Sequence, residues 1–179
     1  MWNPITHANR LIRDPGSLNY HRNCCMAGLA IYAVVTLPQS NDFKIILLHR
    51  DSNFDDQYKL RVFDSKLDTW ALADTPPNAS NFILQHSIVI NDRVFWINLT
   101  QDHLKKPQSI LSYSTIDGSW VVSIIPLELQ ISHSPRLVVH QQVLYFIDMD
   151  RSSGHKALHI WTLSMLDNGR FQWGQSSNC

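Results

Sequence analysis

The chain has 179 residues, carries no formal net charge at pH 7 and is 44% hydrophobic, which suits one domain with a sizeable core. Balanced charge offers no bulk attraction to nucleic acid or to an anionic membrane, and no apolar run reaches the roughly eighteen residues of a spanning helix. Three cysteines, with Cys24 and Cys25 adjacent, make no disulfide framework, and residues 1–10 lack the apolar centre of a signal peptide. A reducing setting, cytoplasmic or nuclear, is the expectation.

In chain order, Met1 to Arg22 is short and mixed, with a Pro15-Gly16 turn. Ala27 to Leu48 reads as a hairpin: an apolar strand, a turn over Pro38 to Asp42, then a strand from Phe43. Residues 51–57 form a polar loop. Tyr58 to Pro77 is a second hairpin, its strands separated by Asp64 to Asp68, with Trp70 just past the turn. Pro76-Pro77 ends it, since paired prolines suit a connection rather than a strand. Ser87 to Leu99 is a hairpin closed by Asn91-Asp92, residue types that tolerate left-handed backbone. After a loop over residues 100–107, Ser109 to Pro126 repeats the Tyr58 hairpin. Arg136 to Asp148 then repeats the Ser87 hairpin, and Leu158 to Trp173, past a loop over residues 150–155, gives the Tyr58 pattern once more.

The two hairpin types alternate with a period of about fifty residues and contain only strands, the signature of a propeller repeat. Phe63 aligns with Tyr113, Asp64 with Ser114, Asp68 with Gly118, and Trp70 with Trp120 and Trp173. Val139 aligns with Ile90, Tyr145 with Trp96, and Trp161 with Phe63. The expected fold is all-β: a partial kelch-like β-propeller of four-stranded antiparallel blades within a single domain over residues 1–179. Whole blades are expected at about 27–74, 85–125 and 136–174. Trp2 falls on Phe63, so residues 1–22 are expected to supply part of a further blade. Trp70, Trp120 and Trp173 recur once per blade and are therefore expected to be buried packing residues.

The sequence gives little to catalysis. Nine histidines include no HExxH or HxH pair, and His155 and His159 sit four apart on a loop-to-strand segment where they would not converge on a metal. Glu128 is the sole glutamate, and the aspartates concentrate in turns. No cofactor, no metal and no enzymatic activity are expected. The loops between second and third strands differ most from blade to blade and emerge on one face. Loops on a rigid scaffold commonly carry recognition. The candidate protein-binding residues are Phe54, Asp55, Asp56, His103, Lys105, Lys106, Arg151, His155 and Lys156.

Four pieces resemble a known family. Trp2-Asn3-Pro4-Ile5-Thr6 is similar to the "W/V-N-P-x-T" opening of the F-box-associated domain of plant F-box proteins. Phe43-Lys44-Ile45-Ile46 resembles its "YKVV" strand. Phe63 to Lys66 with Asp68-Thr69-Trp70 resembles its "vydSktdsW" hairpin, and Ile90 to Trp96 its "V-x-NGxxYWL" hairpin, with Asp92 where that family usually has Gly. The order and spacing match over Met1 to about Asp148. The resemblance implies a protein-recognition domain, the substrate-receptor part of an SCF-type ubiquitin ligase. Its partner would be a target protein, and docking on a Skp-type adaptor would use an F-box, which this sequence does not show. Two alternatives on the same scaffold are a carbohydrate-binding module and an oxidase- or glycosidase-like enzyme.

Overall fold

The computed structural model describes residues 31–37, 41–50, 58–77, 82–84, 87–100, 108–126, 135–150, 157–166 and 171–176. Among these every regular element is a strand. The first sheet contains β1 (Ile31–Thr36), β2 (Phe43–Arg50), β3 (Tyr58–Asp64) and β4 (Thr69–Ala73), antiparallel and in that order. The third contains β10 (Arg136–His140), β11 (Val143–Asp150), β12 (Ala157–Met165) and β13 (Phe171–Ser176), ordered likewise. In the second, β7 (Arg93–Thr100), β8 (Ser109–Ser114) and β9 (Trp120–Ile124) follow a first strand split into β5 (Phe82–Leu84) and β6 (Ile88–Ile90). Both halves pair with β7, and the register shifts by one residue between them. Such a shift bends the strand locally. The part-blade expected at residues 1–22 lies outside the described residues.

The first strands of the three sheets lie innermost: β1 touches β6, and β6 touches β10. The sheets fan outward from that contact as blades, so the fold is all-β, a partial propeller. The middle blade is covered on both faces, which explains the continuous buried run from Val94 to Asn98 and the fully buried β8. Strands buried on both sides lose their polar alternation. Along β7 side chains alternate between two cores. Val94 and Trp96 join Ile46, Leu48, Leu60, Leu111 and Tyr113. Phe95 and Ile97 join Ile110, Leu144, Phe146, Trp161 and Leu163. Trp96 is wholly buried, and a ring of ~200 Å² at ~25 cal/mol/Å² contributes on the order of 5 kcal/mol. β11, by contrast, alternates half-buried with buried over residues 143–148.

Two of the tryptophans join neighbouring blades by hydrogen bonds. Trp120 Nε1 donates to the Asp74 carbonyl at 3.0 Å, and Trp173 Nε1 to the Ile124 carbonyl at 3.2 Å. Trp70, Trp120 and Trp173 hold one position, opposite Phe63, Tyr113 and Leu163. They are half-buried rather than buried, because each sits on the outermost strand of its blade, although the indoles of Trp120 and Trp173 reach the preceding blade.

Three of the alignments need correction. The residue equivalent to Phe63 and Tyr113 is Leu163, not Trp161, since Trp161 lies opposite Gln175. Phe146, not Tyr145, is equivalent to Trp96, and His140, not Val139, to Ile90, because both hairpins count from their turns: Ile90 pairs Arg93 and His140 pairs Val143. A slip of one residue changes sheet face. Phe146 is accordingly buried whereas Tyr145 is half-exposed.

Candidate functional site

The blades share two ends. At the turn end, Lys44 Nζ donates to the Thr115 carbonyl at 2.7 Å, tying the first blade to the second, and Arg93 and Gln142 line one cleft between the second and third. The opposite end therefore gathers the tips of β2 and β3, β7 and β8, and β11 and β12: the Arg50–Tyr58, Asn98–Ser109 and Asp150–Ala157 pairs. Phe54, Asp55, Asp56, His103, Lys105, Lys106, Arg151, His155 and Lys156 lie outside the described residues, but all belong to the three connections between those tips.

Beneath these tips the second strand of each blade carries one buried polar residue: His49, Asn98 and Asp148. Their cross-strand neighbours are Lys59, Ser109 and His159. Asn98 Nδ2 donates to Ser109 Oγ at 3.1 Å, and the His159 ring stacks on Trp161 at 5.4 Å. The Asn98–Ser109 bond thus holds β7 to β8 at the last described pair before their connection. The sequence signal was a single polar residue closing an apolar run at the same place in each repeat. Aligning by aromatic residues passed over it.

The turn end is built from local caps. Asp64 Oδ1 accepts from the Lys66 and Leu67 amides, and the Phe43 amide donates to Ser65 Oγ at 2.8 Å. In the second blade the Thr115 amide and hydroxyl both donate to the Asp92 carbonyl, and Ser114 Oγ donates to Asp92 Oδ2. Asp92, at a position where glycine was the expected residue, thus uses its side chain to hold the neighbouring turn. Asn91 takes the left-handed conformation there, at φ 52°. Asp117 accepts from the Ser119 amide at 3.0 Å, and that bond, with help from the Ser119 and Ser114 hydroxyls and Arg93, lowers its pKa to about 2.

Between the second and third blades at this end lies a cleft of about 130 Å³. Phe95, Leu144 and Leu163 form a buried floor, while Asn91, Gln142 and Met165 stand exposed around it. Arg93, on its wall, donates to Ser112 and Ser119 hydroxyls, each at 3.4 Å. The recess has the chemistry to take one apolar side chain of a partner. Among the described residues no group of three His, Cys, Asp or Glu could hold a metal ion.

A search of curated proteins found no match to this chain. The family model of the F-box associated beta propeller domain, however, matches residues 1–178. With strand-only blades, repeating at the period read from the sequence, the chain belongs to the F-box associated beta propeller domain family.

Proposed function

We propose that the chain recognises a protein destined for ubiquitination, as the substrate-receptor part of an SCF-type ligase in the cytoplasm or nucleus. The carrying observation is the family match over residues 1–178. The geometry supports it: the three blades bring to one end the strand tips that flank three connections of dissimilar sequence. In this role the chain performs no bond chemistry. It raises the local concentration of target lysines near the ubiquitin donor, and adaptor docking belongs to an F-box.

The test is reconstitution. Proteins retained by the chain are added, one at a time, to a ligase assembled with an intact F-box receptor that ubiquitinates them. This chain should compete and lower their modification. Charge reversal at Asp55, Asp56, Lys105 and Lys106 should abolish competition without altering the circular dichroism spectrum. Added salt should weaken binding, as expected for a mixed-charge rim. Competition untouched by every loop substitution would overturn the proposal. Selective binding of one glycan from a panel would assign a carbohydrate module instead.

A further inference from the structure

We infer that the cleft between the second and third blades binds the C-terminal residue of a partner polypeptide, one whose last side chain is apolar. The cleft sets an apolar recess beside a cation. Its floor is Phe95, Leu144 and Leu163, each at most 4% exposed. Arg93 and Phe95 lie two residues apart on one face of β7, so guanidinium and floor belong to the same wall. The volume is about 130 Å³. An apolar cavity of roughly 150 Å³ takes one benzene, so this recess suits one side chain of leucine size. Met165 beside it is 52% exposed and unbranched, able to fold over an occupant.

Arg93 suits an anion better than it suits its neighbours. Among the described residues its hydrogen-bond partners are two neutral hydroxyls, Ser112 Oγ and Ser119 Oγ, both at 3.4 Å, beyond the roughly 2.7–3.2 Å of a well-made bond. The nearby carboxylates are engaged in turns: Asp92 Oδ2 accepts from Ser114 Oγ, and Asp117 Oδ1 from the Ser119 amide. A ligand carboxylate would give Arg93 shorter, charge-assisted bonds. Only the last residue of a polypeptide carries its own side chain and a carboxylate on one Cα. An internal apolar–acidic pair in extended backbone would send its two side chains to opposite faces. Asn91 and Gln142, one from each blade, hold exposed carboxamides around the cleft. Each offers donors and an acceptor to a peptide group, which favours a polypeptide over a free carboxylic acid. The inference does not rest on the proposed ligase role, because the cleft lies at the end opposite the three connections.

Fluorescence anisotropy of the full chain with an N-terminally labelled peptide ending in Gly-Ser-Gly-Leu tests it. The free-acid peptide should bind. Its C-terminal amide should bind about tenfold or more weakly, the worth of a charge-assisted hydrogen bond. Alanine in place of the last leucine should weaken binding by about tenfold as well. Arg93→Gln should remove the preference for acid over amide, a comparison made within one variant and so independent of its stability. The position is read separately. In a chain with isotope-labelled methionine methyls, the free-acid peptide should shift the Met165 resonance, assigned through Met165→Leu. Isocaproate has the same apolar group and carboxylate without a peptide bond, and should bind more weakly than the peptide. Failure of the free-acid peptide to bind at millimolar concentration, equal binding of acid and amide, an unmoved Met165 resonance, or isocaproate binding as tightly as the peptide overturns the inference.

Discussion

Trp120 joins two blades with one ring. It packs on Trp96 at 5.7 Å and Tyr113 at 5.1 Å, and its Nε1 donates to the Asp74 carbonyl. Replacing it by Phe keeps most of the packing and removes the donor. Asp74 is exposed, so water can satisfy the carbonyl, and the loss should be about 0.5–1.5 kcal/mol. Trp120→Ala also removes the ring and should cost about 3–5 kcal/mol. Urea unfolding of the two variants separates the contributions, and equal losses would mean that the hydrogen bond carries the whole effect. The position was legible in the sequence, because a tryptophan recurring once per repeat marks an architectural site. The bond was not, because residue type does not disclose where an indole N–H points. The half-exposure of all three rings was likewise hidden, since it follows from their place on the outermost strand rather than from their hydrophobicity.

Hairpins show where counting by residue type succeeds and where it slips. The match of Asp68 to Gly118 is physical: both adopt left-handed backbone, at φ 55° and 72°. Asn91-Asp92 was legible as a turn for the same reason. Gln141-Gln142 was not a turn signal, yet both residues are left-handed, at φ 49° and 64°. Tertiary pairing of β10 with β11 imposes this conformation on residues that disfavour it. The one-residue displacement of Tyr145 against Phe146 has the same root, since the face of a strand is set by distance from its turn, not by the nearest aromatic. Asn-Gly is the preferred pair at two left-handed positions. Gln141→Asn combined with Gln142→Gly should therefore stabilise the chain by about 1–2 kcal/mol. Both side chains are exposed, so packing is untouched. A thermal melt that stays put or falls would show that the glutamines make contacts offsetting the backbone strain.

At the scale of the molecule, the repeat of about fifty residues was enough to fix the fold class, because blade spacing survives substitution of most side chains. What the sequence did not disclose is that the middle blade is buried on both sides, as this depends on its neighbours. That burial has a thermodynamic consequence. Phe95 and Trp96 are adjacent in the chain but belong to opposite cores. Neither core can dissolve without exposing one face of β7 and β8, so the three blades should unfold together. Repeat proteins whose units touch only their neighbours hold this coupling through interface strength, and here each interface also carries an indole-to-carbonyl bond. Leu48→Ala weakens the first interface and Phe146→Ala the second. Each should cost about 2–5 kcal/mol. Each should shift one common transition, with tryptophan fluorescence and far-ultraviolet circular dichroism reporting the same midpoint. Separation of the two midpoints in either variant would show that a blade melts independently, and that the shared middle sheet does not couple the cores.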